Sequence, residues 1–389
     1  MDNSNEQKTA ANILQIIYPF VTGIRKDKSL LIAWVVFQII SLAKVGLYHI
    51  AIKLNNNVKL TSNEQRLRRL LDKLSITKTM FAKAIFKLFN FKDVELIMDR
   101  TNWKFGKTSI NFLTLSVNWK NLAIPIYWIM LNNKGGNSNS DQRIHLIKWF
   151  IDIFGNERIV NLYADREFAS VKFIKWLLES KVNFLFRTKS SIKASDGDKS
   201  VCLSKLFYNL NNLPNKTRIE SKIRRIFGAR LFISARLNNK NEQIFIISNQ
   251  YYENSFELYI HRWSIENMFG KFKIKGFNLE STHITKVDRL SNLFMLIAVA
   301  YSYSCIMGEI RASLNPPKIK NLRQADGSII QCSEFSIFKY GFYLLKNLID
   351  NHIYYDDLIL IKQLTNLFNN ASSYSFSERT RLYQIITRF

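Results

Sequence analysis

The chain has 389 residues, 47% hydrophobic, 22% charged and 13% aromatic. That composition suits two or three folded domains and excludes a disordered chain. Its 56 Lys and Arg against 30 Asp and Glu leave a net charge of +26 and a pI near 9.9, which points to a polyanionic partner, nucleic acid first among them. The cysteines Cys202, Cys305 and Cys332 lie far apart with no CxxC or Cys/His cluster, so structural zinc is not expected. This usage fits a reducing cytoplasm.

The polar start, MDNSNEQKTAAN, has no signal-peptide pattern. Residues to about 90 read as helical, with apolar residues at three- and four-residue spacing and a polar break near Asn55 to Asn63. The stretch NEQRLRRLLDKLSITKTMFAKAIFKLF sets Arg66, Arg68, Arg69, Lys73, Lys78 and Lys83 around an apolar stripe. It reads equally as a basic module that touches DNA or as a solvated helix face. The apolar runs Leu30 to Ala43 and Leu293 to Met307 are shorter than the roughly 20 residues of a membrane span. Gln38, Ser41, Tyr301 and Ser304 interrupt them, so buried helices and no membrane partner are expected.

After Phe91 the pattern changes. VELIMD predicts a short strand ending on Asp99, and INFLTLSVNWKNLAIPIYWIML predicts two strands around a turn at Asn118 to Asn121. Gly135 to Ser140 reads as a loop and Asp141 to Phe154 as a helix. IVNLYAD predicts a strand ending on Asp165, Phe168 to Ser180 a helix, and VNFLFRT another strand. Residues 190–250 are polar and lysine-rich, with pieces such as RLFISAR and QIFIISN, and read as a mostly β insertion. Helix returns near Asn254, and the tail from about 312 to 389 reads as helical with a loop around Pro316, Pro317 and Gly327. This order predicts an α/β fold with a mixed sheet flanked by helices.

Asp99 and Asp165 each end a predicted strand, where ligands of open α/β sheets gather, although a lone Asp there often only starts a turn. If the two strands are neighbours, the carboxylates converge. Each Asp is followed by Arg, in MDRTNW and ADREF, which would offset charge crowding. A third acid, Glu266, stands in YIHRWSIENMFGKFK. On a helix at roughly 100° per residue, Tyr259, Arg262, Glu266 and Lys273 share an arc of about 60°. Ile265, Met268, Phe269 and Phe272 then face the core. An ordinary salt-bridged face with an Arg262–Glu266 pair explains the spacing alone. Three carboxylates near one point instead suit two Mg²⁺ ions acting on a phosphodiester, with the nearby cations as a phosphate clamp.

Tyr259, Arg262, Glu266 and Lys273 match Y-x(2)-R-x(3)-E-x(6)-K. This resembles the YREK signature of DDE transposases from bacterial insertion sequences, in the fourth-numbered insertion-sequence family. DRTNW and ADREF resemble that group's first and second acidic motifs, and GFNLESTH and FSIFKYG its downstream segments, so the resemblance spans about residues 90 to 345. It implies a ribonuclease H-like mixed sheet flanked by helices, with a β-rich insertion and an all-α N-terminal region. Asp99, Asp165 and Glu266 carry over as the catalytic, metal-binding triad for two Mg²⁺, with Mn²⁺ able to substitute. Tyr259, Arg262 and Lys273 carry over as DNA phosphate contacts.

The implied parts are a DNA-binding region at 1–90, catalytic segments at 91–189 and 251–312, the insertion at 190–250 and a helical region at 313–389. The implied partners are double-stranded DNA, both terminal inverted repeats and target, and a second copy of the chain, in the bacterial cytoplasm at the nucleoid and with no small-molecule cofactor. Relatives stack a Trp of the insertion on a flipped base; no Trp occurs here, and Phe207, Tyr208 or Phe227 is left to supply that face. A catalytically inactive end-binding derivative and a structure-selective nuclease on the same fold are the alternatives.

Overall fold

The computed structural model describes residues 17–350, apart from 55–56, 132–135, 198, 213–218 and 324–326. The start of the chain, the predicted helical tail beyond 350 and the glycine that opens the 135–140 loop lie outside the described residues. The chain divides into two units: Phe91–Phe269, and a second that joins the residues before 91 to those after 269.

The second unit is helical. Its elements are α1 (Lys26–Leu42), α2 (Leu47–Ile52), α3 (Leu60–Asp72) and α4 (Lys78–Phe89). In α3 the apolar Leu67, Leu70 and Leu71 turn inward while Arg66, Arg68 and Arg69 stay exposed. The Thr77 side chain caps α4 by accepting from the Met80 amide at 3.1 Å. After residue 269 the same unit holds α10 (Val287–Leu314), the hairpin β11 (Ile319–Arg323) with β12 (Ile329–Ser333), and α11 (Ile337–Asp350). Helix α10 has 28 residues, longer than the apolar run predicted from sequence and long enough by length and composition to cross a membrane, yet 94% of its apolar window is buried. Gly308 and Gly341 let α10 and α11 touch backbone to backbone: a Cβ on Gly341 would lie 2.0 Å from the Ser304 carbonyl oxygen.

Phe91–Phe269 is built on a ten-stranded sheet in the order β3-β2-β1-β4-β5-β10-β9-β8-β6-β7. Its first strands are β1 (Val94–Phe105), β2 (Thr108–Trp119) and β3 (Leu122–Met130), an antiparallel meander. The β2–β3 turn is tight, with Lys120 and Asn121 both at positive φ, as a two-residue hairpin loop requires. Helix α5 (Ser140–Phe154) starts in a capping box made by Asn139 and Gln142. It leads to β4 (Ile159–Ala164), which pairs parallel to β1. Helix α6 (Val171–Glu179) then returns the chain to β5 (Phe184–Thr188), parallel to β4. This is the mixed, helix-flanked sheet that the sequence predicts.

Residues 190–250 are mostly strand, as their sequence suggests: β6 (Lys193–Asp196), β7 (Lys199–Cys202), β8 (Glu220–Ile226), β9 (Ala229–Leu237) and β10 (Gln243–Ser248), with the short α7 (Leu203–Leu206) after β7. They extend the same sheet through β10, antiparallel to β5. Two consecutive helices follow, α8 (Ser255–Ile260) and α9 (Trp263–Phe272).

Two predicted boundaries change. Strand β1 does not end at Asp99 but runs six residues further, to Phe105, because β2 continues to pair with it: Asp99 faces Thr114 and Phe105 faces Thr108. What ends at Asp99 is the parallel pairing with β4, whose last register pair is Met98 with Ala164. The helix expected across Tyr259 to Lys273 breaks at His261 and Arg262. There the backbone bonds tighten to three-residue spacing, with the Arg262 amide donating to Tyr259 and the Ser264 amide to His261. The Ser264 hydroxyl also donates to the His261 carbonyl at 2.7 Å, competing with regular helix bonding.

Candidate active site

The β1–β4 register fixes where the first two acids lie. Met98 pairs with Ala164, so Asp99 on β1 and Asp165, the residue just past β4, come next on the two adjacent segments. The convergence expected of neighbouring strands is present. The Asp165 carbonyl accepts from the Phe168 amide at 3.0 Å, turning the chain away from the sheet at once. Arg143 of α5 secures that turn by donating to the Phe168 carbonyl at 2.9 Å and lying over the Phe168 ring.

Glu266 arrives from α9. Its inner face buries Ile265, Met268, Phe269 and Phe272, as the sequence predicts. Arg262, only 4% exposed, links the acids: one guanidinium nitrogen is 3.1 Å from Asp99 Oδ2 and another 2.6 Å from Glu266 Oε1. The Arg262–Glu266 pair suggested by the four-residue spacing therefore exists, and the same arginine also reaches Asp99.

The remaining predicted residues are distributed differently. Tyr259 lies on α8, buried, with its hydroxyl donating to the Ala164 carbonyl at 3.3 Å. As placed, the phenol holds the end of β4 just before Asp165 and faces no solvent. Burial keeps it well above its ordinary pKa, with Asp165 and Asp99 adding to the shift and Arg262 and Arg187 opposing it. Lys273 stands one residue past the end of α9, and its ammonium is 3.0 Å from Glu280. The arginines after the two Asp residues do not serve as their counter-ions. Arg100 instead forms a forked pair with Glu167 at 3.1 and 3.2 Å, while Arg166 is exposed. The charge offset that these two arginines were expected to provide comes from Arg262, because the alternation of β1 turns Arg100 to the opposite side from Asp99.

Charge at the site is crowded and poorly solvated. Burial pushes the Asp99 carboxyl up to about 7; Glu266 and Asp165 push the same way, while the Arg100 amide, 2.7 Å from Oδ1, and Arg262 oppose them. The Asp165 Oδ1 and the Thr114 hydroxyl opposite Asp99 are buried with no hydrogen-bond partner. An unpartnered buried carboxylate oxygen is costly unless a cation or donor meets it. The donors here are all carboxylate oxygens, the set that suits Mg²⁺ or Mn²⁺. With Arg262 between Asp99 and Glu266, no three His, Cys, Asp or Glu side chains among the described residues are gathered closely enough to share one ion. The chemistry of the donor set and the orphaned Asp165 oxygen fit a divalent cation; the Arg262 bridge must loosen for Glu266 to join them.

A family model described as a transposase DDE domain matches residues 90–303, more than half of the chain. The chain belongs to the DDE transposase domain family. The matched span contains Asp99, Asp165 and Glu266. Among solved structures, a cryo-EM structure of a piggyBac transposase synaptic complex with hairpin DNA is similar at 12% identity and a TM-score of 0.40, over 99% of this chain and 77% of that one. No curated protein matches the chain.

Several residues around these three acids escape sequence reasoning. Arg187 on β5 acts electrostatically on Tyr259, and nothing in VNFLFRT marks it. The Arg100–Glu167 pair joins the segments after the two Asp residues, and its signal was each residue's place next to an acidic motif. Glu95 and His261, four residues before Asp99 and one before Arg262, had a similar signal in their positions.

Proposed function

We propose that the chain is an active transposase of the YREK-signature group of bacterial insertion sequences. It cuts DNA at the terminal inverted repeats of its element and joins the freed 3′-OH ends to target DNA. The observation that carries this reading is that Asp99 and Asp165 each directly follow the last register pair of the parallel strands β1 and β4, with Glu266 tied to Asp99 through Arg262.

Asp99, Asp165 and Glu266 would hold two Mg²⁺ ions, or Mn²⁺ in their place. Bound cations supply an activated attacking oxygen and offset the charge on the leaving oxygen. Arg262 offsets the charge of Asp99 and Glu266 until cations would take that role, and is then free to meet a phosphate oxygen with a planar two-nitrogen fork. Lys273, now on Glu280, is the second phosphate contact. Tyr259 acts indirectly, by fixing the Ala164 carbonyl and so the approach of Asp165.

The exposed Arg66, Arg68 and Arg69 of α3, with Lys73 and Lys83, supply a surface for the element's ends. In the insertion Phe207 is fully buried and drops out as a stacking face, leaving exposed Tyr208 and the half-buried Phe227 at the β8–β9 turn. The working form is a homodimer on paired ends, in the bacterial cytoplasm at the nucleoid.

The test is cutting of a duplex carrying the element's end, with Mg²⁺, in competition with branched and with unrelated duplex DNA. The expected result is cutting at the end sequence that resists unrelated competitor and vanishes in Asp99→Ala. Binding without cutting identifies an inactive end-binding derivative, and cutting that follows branch structure identifies a nuclease; either overturns the proposal.

A further inference from the structure

Glu95 lies on β1 four residues before Asp99, so both side chains project from the same face of the strand. Its carboxylate is an acceptor for three elements. Oε1 accepts from the Tyr163 hydroxyl of β4 at 2.7 Å. Oε2 accepts from the Asn118 amide of β2 at 2.7 Å and lies 2.9 Å from Nδ1 of His261. The Tyr163 and His261 rings meet edge to face, 5.9 Å apart. Beside this cluster the Tyr252 hydroxyl donates to the buried Asn161 at 2.7 Å, tying the segment before α8 to β4 as well.

Two partners of Glu95, Tyr163 and His261, sit on segments that bear the site. Asp99 follows Glu95 on β1, and Asp165 follows Tyr163 two residues later. His261 is the residue at the α8–α9 break, next to Arg262 and five before Glu266. At that break regular helix bonding is lost, so restraints outside the backbone help to fix how α9 leaves α8. The Glu95–His261 bond is such a restraint, and it acts at the point where α9 begins. Both side chains are mostly covered, with 21% and 26% exposure, so the bond is less screened than a surface pair.

We infer that Glu95 is a positioning residue of the transposase site, a single carboxylate that registers β1, β4 and α9 so that Asp99, Asp165 and Glu266 keep one relative placement. The inference rests on the reading of those acids as the metal-binding triad. It differs from a purely packing role in a specific way. Loss of Glu95 must weaken cation binding by the triad while DNA-end binding survives. A glutamine must restore much of the function: its oxygen accepts from Tyr163, its amide donates to His261 Nδ1, and Asn118 can turn its own buried, unpartnered Oδ1 toward it.

The experiment uses the full chain with Glu95→Ala, Glu95→Gln and His261→Ala. It measures the Mg²⁺ concentration for half of the thermal upshift, the cutting rate on saturating end duplex, and affinity for that duplex. For Glu95→Ala and His261→Ala, the Mg²⁺ midpoint is expected to rise roughly 10-fold, as when a partner of a metal ligand is removed. Cutting is expected to fall on the order of 100-fold, as for a small misplacement of reacting groups. Duplex affinity stays unchanged, and Glu95→Gln regains most of both losses. His261→Ala, at a partly exposed position, keeps the test independent of folding defects. A wild-type chain that neither gains stability from Mg²⁺ nor cuts overturns the transposase reading itself. A wild-type chain that does both, beside His261→Ala and Glu95→Ala with the same Mg²⁺ midpoint, overturns the positioning role alone.

Discussion

Replacing Arg262 by Met removes the two ionic bonds that link the acids while keeping most of the side chain's length. The two bonds are not equivalent. Asp99 is 14% exposed and loses its only ionic partner among the described residues, whereas Glu266 is 58% exposed and can be rehydrated. Breaking a buried pair by removing one partner costs about 3–5 kcal/mol, against about 0–1 kcal/mol for an exposed one. Asp99 relieves part of that cost by taking up a proton, since its carboxyl already sits at about 7. In metal-free buffer at pH 8, Arg262→Met should therefore cost about 3 kcal/mol, the low end of the range. A double-mutant cycle with Asp99→Asn should give a coupling of about 2 kcal/mol or more, and one with Glu266→Gln less than about 1 kcal/mol. Chemical denaturation of the full chain, followed by fluorescence, reads both cycles. At pH 5, where Asp99 is protonated in the native state, the first coupling should fall toward the second. Equal couplings at pH 8, or a first coupling that ignores pH, would refute the view that Arg262 chiefly compensates a buried Asp99.

Asp99 has a native pKa raised above its ordinary 3.8 to about 7, so between those values the native state binds more protons than the unfolded chain and stability falls as pH rises. In EDTA, the stability of Asp99→Asn relative to wild type should therefore climb from pH 4 to 7 and level off above, by up to about 4 kcal/mol; parallel pH profiles would contradict this. Gly341→Ala should destabilise strongly, since its Cβ would meet the Ser304 carbonyl at 2.0 Å and the Gly308 amide at 2.1 Å in a backbone contact that cannot yield; a melting temperature within a degree or two of wild type would show that the helices part easily.

Much of the site was legible in the sequence because it follows from short-range periodicity. Strand runs ending in Asp99 and Asp165 required only that β1 and β4 be neighbours, and the inward face of α9 followed from the spacing of Ile265, Met268, Phe269 and Phe272. What stayed hidden depends on contacts distant in sequence. Strand β1 outlasts its parallel partner because β2 holds it, and VELIMD says nothing of β2. The break at His261 comes from a serine hydroxyl and tightened turns, which a helical wheel cannot register, and it moves Tyr259 onto a separate helix. Arg262 reads from spacing as the partner of Glu266 alone, because its second partner, Asp99, is 163 residues away. Glu95 looks like a surface acid in an apolar strand until Tyr163 and His261 are brought to it. Helix α10 outruns the apolar stretch Leu293 to Met307 because it continues through polar residues at both ends, and the interrupting Ser304 satisfies itself by donating back to Ala300.

If Asp99, Asp165 and Glu266 act as one catalytic unit for cutting DNA, as proposed, each is needed for the cut. The most direct measurement is single-turnover cutting of the element's own end by the full chain in Mg²⁺, for wild type and for Asp99→Asn, Asp165→Asn and Glu266→Gln separately, with end binding measured in parallel. Every substitution should reduce cutting by about a thousandfold or more, with losses that do not add when substitutions are combined and with binding retained. Cutting that survives the loss of any one of the three acids would contradict it.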